Sequence, residues 1–340
     1  MGRLTTDPSL SRIIQLGRKA DPIIVRALSK SSSPQFHSLL NYHFKVGGKR
    51  VRAAMMILSS LACGGNLADS LKPAAVVEMI HNYSLVMDDI IDRAQVRREK
   101  PTIRVHAGES IALLIAMQYR EVIDDVIDEC EQSGRVRRVA VDTMKEIIDG
   151  ERLDLLLEQA GRKDSYLVAN RFTQPSITLY MDMIGKKTAA LFRASSEIGA
   201  LTAGAPERTM SNLKTYGWNA GLAFQVMDDV LDIFGDKTGK QPAKDIIEHK
   251  LGNVAVLTAM KFLPSSDRLE LQRILRIERV SPRLAEKARG IIAQTPSEKV
   301  SREIAQCYLE KAKVQLRTLE DSESTRGLAA LADEFAKRTY

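Results

Sequence analysis

Apolar residues recur every three or four positions along most of this chain, a spacing that is typical of helices with one buried face. The first stretch, residues 8–29, carries six such positions: Leu10, Ile13, Ile14, Leu16, Ile23 and Ile24. The same spacing predicts helices over residues 36–45, 49–63, 72–93, 107–132, 136–160, 176–203, 207–234 and 244–262, with shorter helices to the end of the chain. Strand-like alternation of apolar and polar residues is almost absent. The pattern therefore predicts an all-α protein.

Short runs rich in Gly, Pro and Ser separate the predicted helices. They fall at residues 29–34, 63–66, 203–206, 235–239 and 263–266. The sequence contains no internal repeat of the length that solenoid proteins use. Although 340 residues exceed the usual size of one domain, a helical bundle can reach this length as one unit. We therefore expect a single all-α domain over residues 1–340.

Two aspartate clusters of the form Asp-Asp-x-x-Asp stand out within these helices. Their members are Asp88, Asp89 and Asp92 in the first cluster, and Asp228, Asp229 and Asp232 in the second. On a helix, the first and last aspartates of each cluster lie about 40° apart and one turn along, so they share a face. Carboxylates crowded together in an apolar frame need cations. Mg²⁺ suits them, because it binds a few carboxylate oxygens, keeps several waters and completes its octahedron with phosphate oxygens.

Basic residues near these clusters could supply the phosphate-binding side of such a site. Arg97 and Arg98 follow the first cluster, and Lys49 and Arg52 lie three residues apart on a predicted helix. The pairs Lys186-Lys187 and Gly239-Lys240 flank the second cluster, and Lys250 follows it. Arginine can hold phosphate oxygens with a planar fork, and lysine acts as a mobile point charge. Together the two charge types indicate a site that holds polyphosphates through metal bridges.

Composition narrows the class of protein. No run of 18 uncharged apolar residues occurs, and the first residues lack the apolar stretch of a signal peptide. The three cysteines, Cys63, Cys130 and Cys307, are scattered, as expected in a reducing compartment. We therefore expect a soluble cytoplasmic protein.

The net charge of +7 leaves nucleic-acid binding as an alternative. However, the basic residues are spread among 43 acidic ones without interleaved aromatic residues. The charge is explained more simply by affinity for diphosphates or by a solvated surface, and we expect no nucleic-acid partner.

Five separated segments resemble one enzyme family. They are residues 47–52 (GGKRVR), 81–92 (HNYSLVMDDIID), 97–102 (RREKPT), 185–188 (GKKT) and 224–232 (FQVMDDVLD). In this order they resemble the signatures of trans-isoprenyl diphosphate synthases, and the resemblance covers residues from about 40 to 260. The subgroup that this chain resembles most is the archaeal type of geranylgeranyl diphosphate synthase.

The resemblance implies a fold, a reaction and an assembly. The fold is a single large helical bundle of the isoprenoid synthase type, in which two central helices turn their aspartates toward each other across a central cavity. The reaction condenses isopentenyl diphosphate with an allylic diphosphate by ionisation, condensation and elimination. The expected cofactor is Mg²⁺, with three ions per active site when diphosphate is bound. The expected assembly is a homodimer.

The resemblance also assigns roles to individual residues. The metal ligands would be Asp88, Asp92 and Asp228, with Asp89 and Asp232 in support through hydrogen-bonded water. The allylic diphosphate would be bound by Arg97, Lys187, Lys240 and Lys250. Isopentenyl diphosphate would be bound by Lys49, Arg52, His81 and Arg98. Thr188 and Gln225 would lie near the reacting carbons. The expected catalytic group is Asp88, Asp92, Arg97, Lys187, Thr188, Gln225, Asp228 and Lys240.

Product length is read from the residues before the first aspartate cluster. In the family, a bulky residue five positions before this cluster closes the cavity in which the product grows. Here that residue is Tyr83, about 7.5 Å along the helix axis from Asp88, and the next residue is the small Ser84. A large ring disfavours very long products, and a small neighbour disfavours the shortest. We therefore expect a twenty-carbon product, with farnesyl or longer products as alternatives.

Four departures from the family pattern leave other hypotheses open. Glu99 and Ala243 stand where glycine is usual, Met117-Gln118 replaces Gly-Asp, and Glu151 replaces Gln. One alternative is a weakly active or non-catalytic subunit of a mixed enzyme, although such subunits generally lose aspartates and this chain keeps all six. A terpene cyclase would have only one aspartate cluster. A head-to-head coupling enzyme would not need the site formed by Lys49, Arg52 and Arg98.

Overall fold

A computed structural model describes residues 8–30, 32–45, 47–235 and 243–337, and it confirms the predicted all-α class. The helices of the first half are α1 (Pro8–Arg18), α2 (Asp21–Lys30), α3 (Pro34–Leu40), α4 (Tyr42–Lys45), α5 (Val51–Ala62), α6 (Leu67–Ile91), α7 (Ile103–Ala107), α8 (Glu109–Asp128) and α9 (Ser133–Leu157). Within the described residues, regular strands are confined to one antiparallel hairpin, β1 (Val96–Arg97) and β2 (Lys100–Pro101).

The second half is also helical. Its α-helices are α10 (Ser165–Asn170), α11 (Ile177–Ile184), α12 (Ala190–Thr202), α13 (Glu207–Phe234), α14 (Lys244–Ile247), α15 (Val254–Phe262), α16 (Ser265–Leu275), α17 (Pro282–Ala293), α18 (Ser297–Leu316) and α19 (Glu323–Lys337). A π-helical turn, Gly185–Ala189, connects α11 to α12. Such turns insert an extra residue into an α-helix and are frequent at functional sites.

Several predicted boundaries were wrong. Residues 8–29 form two helices, because a turn at residues 19–20 ends α1 and α2 begins at Asp21. The predicted helix over residues 244–262 is also two helices, α14 and α15, joined by a non-helical segment. The helix predicted to begin at residue 72 begins at Leu67, because the Asn66 side chain caps it by accepting a hydrogen bond from the Asp69 N–H.

The chain folds into two compact units, and each is described by itself. The first unit comprises the described residues of 1–145, 191–217 and 314–331. Its core lies where α6 packs against α5 and α8, and it includes the fully buried side chains of Met55, Met79 and Tyr119. Gly199 allows α12 to lie against α5, since an added Cβ would come 2.4 Å from the Met56 carbonyl oxygen. This core holds the helix that carries the first aspartate cluster.

The second unit comprises the described residues of 146–190, 218–313 and 332–340. Its apolar core includes Tyr180 of α11 and Val226 and Val230 of α13, together with residues of α15 and α17. Val226 and Val230 are one turn apart and flank Asp228 and Asp229 in sequence. Burial of this apolar face therefore fixes the helix that carries the second aspartate cluster. The prediction of one domain with a central cavity stays a prediction.

Candidate active site

The first aspartate cluster lies at the C-terminal end of α6. Asp88 and Asp92 are partly exposed, whereas Asp89 is fully buried. Arg97 of β1 binds both neighbouring carboxylates, with its Nη2 2.6 Å from Asp88 Oδ2 and its Nε 2.7 Å from Asp89 Oδ1. The guanidinium thus holds the two carboxylates in a fixed relative position. The predicted metal ligands Asp88 and Asp92 keep surfaces that a cation could reach.

A buried histidine adjoins this ion pair. The Nε2 atom of His43 in α4 lies 3.8 Å from Asp89 Oδ2. Burial lowers the pKa of His43 to about 3, and the positive charges of Arg97 and Arg98 add to this effect. His43 is therefore neutral at physiological pH, and the positive charge beside Asp89 comes from Arg97.

Three of the residues predicted to bind isopentenyl diphosphate contact groups in the same unit. Arg52 on α5 and His81 on α6 lie side by side, with 3.3 Å between Arg52 Nη1 and His81 Nε2. Burial and the charges of Arg52 and Arg98 lower the pKa of His81 well below its usual value, so the ring is neutral and Nε2 can accept a hydrogen bond from Arg52. Arg98 donates to the carbonyl oxygen of Gly47. The predicted fourth member, Lys49, has an exposed side chain.

The predicted chain-length residues lie on α6 before the first cluster. Tyr83 and Ser84 are both partly buried. The Ser84 hydroxyl donates to the His81 carbonyl oxygen at 2.8 Å, so it is satisfied by its own helix. Tyr83 and Ser84 occupy the helix turn that precedes Asp88, as the prediction requires. Their effect on product length stays a prediction.

The second cluster is held by an extensive hydrogen-bond network in the second unit. Asp229 is buried and accepts hydrogen bonds from the Tyr180 hydroxyl (2.8 Å), the Gln225 side-chain amide (2.8 Å) and the Val254 N–H (3.2 Å). Asp232 accepts the backbone N–H groups of Lys244 and Asp245 at 3.0 and 3.1 Å. Asp229 is thus occupied within the fold, while Asp228 is partly exposed.

Burial and mutual repulsion perturb these carboxyl groups. Burial raises the pKa of Asp232 to about 8, and the neighbouring Asp245 adds to the shift. The pKa of Asp229 is raised by the same two causes. Burial also raises the pKa of Asp245, which accepts a hydrogen bond from Asn253 at 2.8 Å. Three carboxyl groups that resist ionisation together form an electrostatic environment suited to a cation.

The two residues predicted to lie near the reacting carbons contact each other. The Thr188 hydroxyl, in the π-helical turn, donates to the Gln225 side-chain oxygen at 2.8 Å. Because the amide nitrogen of Gln225 donates to Asp229, the orientation of this amide is determined at both ends. A line of hydrogen bonds therefore links Thr188, through Gln225, to the buried Asp229.

Two predicted diphosphate-binding lysines share one carboxylate. Lys187 Nζ lies 2.6 Å from Asp154 Oδ2 and 2.8 Å from Glu151 Oε2. Lys250 Nζ lies 3.3 Å from the same Asp154 oxygen and 3.3 Å from Glu248. Both acidic residues project from α9: Asp154 holds the two ammonium groups close together, and Glu151 pairs with Lys187.

The remaining predictions concern Lys240, metal binding, membrane spans and the facing of the two aspartate clusters. Lys240 lies outside the described residues. Among the residues that the structure describes, no three His, Cys, Asp or Glu side chains converge closely enough to hold a metal ion by themselves. No described helix combines the length and apolar character needed to span a bilayer. The facing of the two aspartate clusters stays a prediction.

Several residues of these networks were not predicted from the sequence. They are His43, Arg50, Glu78, Asp154, Asp245 and Asn253. Asp154 follows Glu151 by one helical turn, so its shared face with a residue already singled out was an available signal. Asp245 lies shortly before Lys250, in the segment that follows the second cluster. Nothing in local sequence marks His43 or Glu78, because their importance comes from burial beside distant arginines.

The all-α fold, with its clusters of acidic and basic side chains, is that of a known enzyme family, as comparison with known proteins shows. A family model described as polyprenyl synthetase matches residues 33–292. A short chain isoprenyl diphosphate synthase from Methanothermobacter thermautotrophicus is 33% identical over 299 residues, which cover 86% of this chain and 87% of that protein. The chain belongs to the polyprenyl synthetase family.

Solved structures agree with this assignment. Geranylgeranyl pyrophosphate synthetase from Pyrococcus horikoshii matches with a TM-score of 0.87 and 28% identity, covering 97% of this chain and 98% of that one. Decaprenyl diphosphate synthase from Rhodobacter capsulatus has the same TM-score at 25% identity, covering 97% and 99%. The predicted family and the predicted enzyme class, a trans-prenyltransferase, are confirmed.

Proposed function

We propose that this chain condenses isopentenyl diphosphate with an allylic diphosphate in a Mg²⁺-dependent reaction, and that its main product is geranylgeranyl diphosphate. One observation carries the proposal. The first unit brings together the Arg97–Asp88–Asp89 ion pairs, the Arg52–His81 contact and the Arg98–Gly47 hydrogen bond. Carboxylates for a cation and basic groups for a diphosphate are thus built into one compact unit, as the reaction requires.

The donor groups fit Mg²⁺. The residues that would hold it are Asp88, Asp92 and Asp228, each with a partly exposed side chain. Mg²⁺ is usually bound by one or two carboxylates together with waters and substrate phosphates, so a cage built from protein side chains alone is not expected. Burial is the main cause of the raised pKa of Asp232, and repulsion by Asp245 adds to it; a cation bound there would reduce this repulsion. The bound metal would neutralise charge on the departing pyrophosphate.

The residues around the metal would perform the rest of the chemistry. Ionisation breaks the carbon–oxygen bond of the allylic diphosphate, and the electron pair leaves with pyrophosphate. Arg97, Lys187 and Lys250 would bind the departing group, and fixed cations aimed at developing negative charge are an effective source of catalysis. The Thr188 hydroxyl and the Gln225 amide, fixed by Asp229, would direct their oxygen lone pairs toward the allylic cation.

The new carbon–carbon bond would form with the second substrate, isopentenyl diphosphate. Lys49, Arg52, His81 and Arg98 would hold the diphosphate of isopentenyl diphosphate, so that its double bond attacks the allylic cation. Loss of a proton then restores a double bond and leaves a chain five carbons longer. Walls that exclude water would protect the cation from hydrolysis.

Product length rests on Tyr83. The equal TM-scores to a geranylgeranyl and a decaprenyl synthase show that the fold does not separate short from long products. The twenty-carbon proposal is instead supported by the ring of Tyr83, which lies on the helix turn before Asp88. Substitution Tyr83→Ala should lengthen the product, and an unchanged product distribution would contradict the role of this ring.

We also propose a cytoplasmic homodimer. Leu113, Leu114 and Met117 of α8 are exposed apolar side chains on one helix, and burial against a second copy would remove them from water. Light scattering after size-exclusion chromatography would report the mass. A monomer at micromolar concentration would contradict the homodimer without affecting the proposed reaction.

The decisive assay combines the purified protein, Mg²⁺ and labelled isopentenyl diphosphate with dimethylallyl, geranyl or farnesyl diphosphate in separate reactions. A twenty-carbon product, abolished by chelator, is expected. Asp88→Asn and Asp228→Asn should each lower kcat by about a hundred- to a thousandfold. Asp124→Asn, at a partly exposed ion pair with Arg120 on α8, is the matched control and should leave kcat unchanged. No condensation with any primer would overturn the proposal and favour a non-catalytic subunit.

A further inference from the structure

A buried arginine that has no role in the proposed reaction lies directly beside the predicted isopentenyl diphosphate site. Arg50 is only 4% exposed and immediately precedes α5. Its backbone is covered as well, since an added Cβ on Gly17 of α1 would come 2.4 Å from the Arg50 carbonyl oxygen. A substrate cannot reach a guanidinium buried to this degree. Any contribution of Arg50 to the reaction must therefore act through other residues.

The guanidinium of Arg50 binds three different acceptors. Nε donates to Asp21 Oδ1 at 2.8 Å, Nη1 to the Gly47 carbonyl oxygen at 3.2 Å, and Nη2 to the Phe44 carbonyl oxygen at 3.1 Å. The buried Glu78 adds a second carboxylate, with its Oε1 3.6 Å from Nη1. The charge of Arg50 is thus matched by Asp21, with the carboxyl group of Glu78 beside it, and its planar fork holds two backbone carbonyl groups.

The backbone that Arg50 binds needs hydrogen bonds from outside the segment to fix its conformation. Gly47 and Gly48 have φ values of +112° and +134°, which side-chain-bearing residues rarely adopt. Glycine in such a conformation has the largest backbone freedom to lose on folding, so external hydrogen bonds must fix it. Arg50 supplies one of these bonds at Gly47.

The same glycine also positions Arg98. Its carbonyl oxygen accepts hydrogen bonds from both Arg50 and Arg98. A Cβ added to Gly48 would lie 2.6 Å from Arg50 Nη1 and 2.9 Å from Arg98 Nη1, so the glycine backbone fits between the two guanidinium groups. If Gly47 moved, Arg98 would lose its anchor. Lys49, next to Gly48, and Arg52, on the first turn of α5, would move with the same segment.

We infer that Arg50 is a positioning residue for isopentenyl diphosphate: it fixes the Gly47–Gly48 backbone and thereby the separation of Lys49, Arg52 and Arg98. The inference rests on the proposed function, because it takes these three residues as the diphosphate ligands. It predicts a selective defect. Affinity for isopentenyl diphosphate should depend on Arg50, and affinity for the allylic substrate should not.

The test is Arg50→Lys, which keeps the positive charge but cannot reach three acceptors with one ammonium group. Loss of a charge-assisted hydrogen bond of the usual strength predicts a KM for isopentenyl diphosphate raised by at least about tenfold. The KM for the allylic diphosphate should stay within about twofold of the wild-type value. A tenfold change in KM corresponds to the loss of a hydrogen bond, whereas a twofold change is too small for that. Calorimetric titration with isopentenyl diphosphate alone should show the same loss of affinity.

Two controls separate positioning from general destabilisation. Asp21→Asn removes a charged partner of Arg50 but leaves its hydrogen bonds to Gly47 and Phe44, so it should lower Tm while raising the KM for isopentenyl diphosphate less than Arg50→Lys does. Arg137→Lys is an arginine-to-lysine change at a partly exposed ion pair with Asp124, and it should leave both KM values unchanged. If Arg50→Lys does not fold, Glu78→Gln, which loosens Arg50 from its other side, should give a smaller selective rise.

The outcomes are distinct. A lowered Tm with both KM values unchanged, or with both raised equally, would overturn the inference and leave Arg50 a structural residue. An active wild-type enzyme with this result would leave the proposed function intact. A wild-type protein that neither binds isopentenyl diphosphate nor elongates any primer would overturn the proposed function and the inference together.

Discussion

At the scale of single residues, some non-glycine residues of this chain have left-handed backbone conformations that glycine would adopt more readily. Arg98 and Glu99 form the two-residue turn of the β-hairpin, with φ values of +52° and +63°. Such a turn requires left-handed residues at both positions and favours glycine at the second. Ala243, before α14, also has a left-handed φ of +56°. Both Glu99 and Ala243 stand where glycine is usual in the family. The physical reason is that each position has a left-handed φ, which glycine adopts without steric cost.

Substitution Glu99→Gly should stabilise the protein. A left-handed conformation costs a non-glycine residue about 1–2 kcal/mol, and the greater chain entropy of glycine returns part of this, so a net gain of roughly 0.5–1 kcal/mol is expected. Urea denaturation would measure it. Lys100→Gly, in strand β2, is the control and should destabilise. A loss of stability in Glu99→Gly would show that the turn is not strained.

Substitution Asp229→Asn should be strongly destabilising. The side chain of Asp229 accepts three hydrogen bonds, whereas an asparagine places an amide donor against at least one of the donors from Tyr180, Gln225 and Val254. Leaving buried polar groups unsatisfied costs about 1–3 kcal/mol each. Tyr180→Phe, which removes a single hydrogen bond, should cost about 1 kcal/mol. Equal unfolding free energies for the two variants would contradict the described network.

At the scale of elements, α9 supports the π-helical turn by direct backbone contact. An added Cβ on Gly150 would lie 2.3 Å from the Lys187 backbone nitrogen. No side-chain movement can relieve that clash, since the atoms that the Cβ would meet are backbone atoms of Lys186 and Lys187. The approach of α9 to the turn, and with it the pairing of Glu151 and Asp154 with Lys187, therefore depends on this glycine.

Gly150→Ala should lower kcat by at least about tenfold, because displacing catalytic groups by about 1 Å can cost a hundredfold. Gly290→Ala is the matched helical control. Among the described atoms nothing lies within 4 Å of a Cβ at Gly290, so alanine should raise stability by roughly 0.5–1 kcal/mol through helix propensity. Steady-state kinetics and thermal unfolding would report the two effects. Unchanged kcat in Gly150→Ala would contradict the supporting role of α9.

At the scale of the whole molecule, the second aspartate cluster links stability to pH and to cations. Asp232 has a pKa of about 8 in the folded chain, above its ordinary value of 3.8. The folded state therefore binds more protons than the unfolded state between these two values, and stability falls as pH rises through this window. A cation that binds the ionised carboxylates favours the folded state and opposes the loss.

Thermal unfolding should show this coupling. In chelator, Tm is expected to fall as pH rises from 5 to 8. The rise in Tm on adding Mg²⁺ should increase over the same range, because the cation then has fewer protons to displace from the carboxyl groups. Asp232→Asn should flatten both trends. A Tm in chelator that rises steadily from pH 5 to 8 would contradict the raised pKa.

The sequence predicted the all-α architecture, whereas the residues that support the candidate site from a distance were not predicted. Apolar spacing identified the helices, and the aspartate and basic motifs selected Asp88, Asp228, Arg97 and Lys187 as candidate site residues, whose roles stay predictions. The break between α14 and α15 was not predicted, although Gly252-Asn253 is a local signal for it: the Asn253 side chain caps α15 by accepting hydrogen bonds from the Ala255 and Val256 N–H groups. Arg50 was passed over because its value lies in burial against Asp21 and Glu78, which no local pattern records.

The π-helical turn limits the insertions and deletions that the segment around it can accept. Tyr180, before the turn, and Thr188, within it, are both anchored on one stretch of α13, to Asp229 and Gln225 respectively. Deleting one residue between them would rotate one anchor about 100° relative to the other and shorten the helix by about 1.5 Å. Only one of the two hydrogen bonds could survive. A substitution at a position of this segment whose side chain makes neither bond leaves both bonds in place, whereas a codon lost or gained there breaks one of them. The length of the segment should therefore vary less among related chains than its amino-acid sequence does.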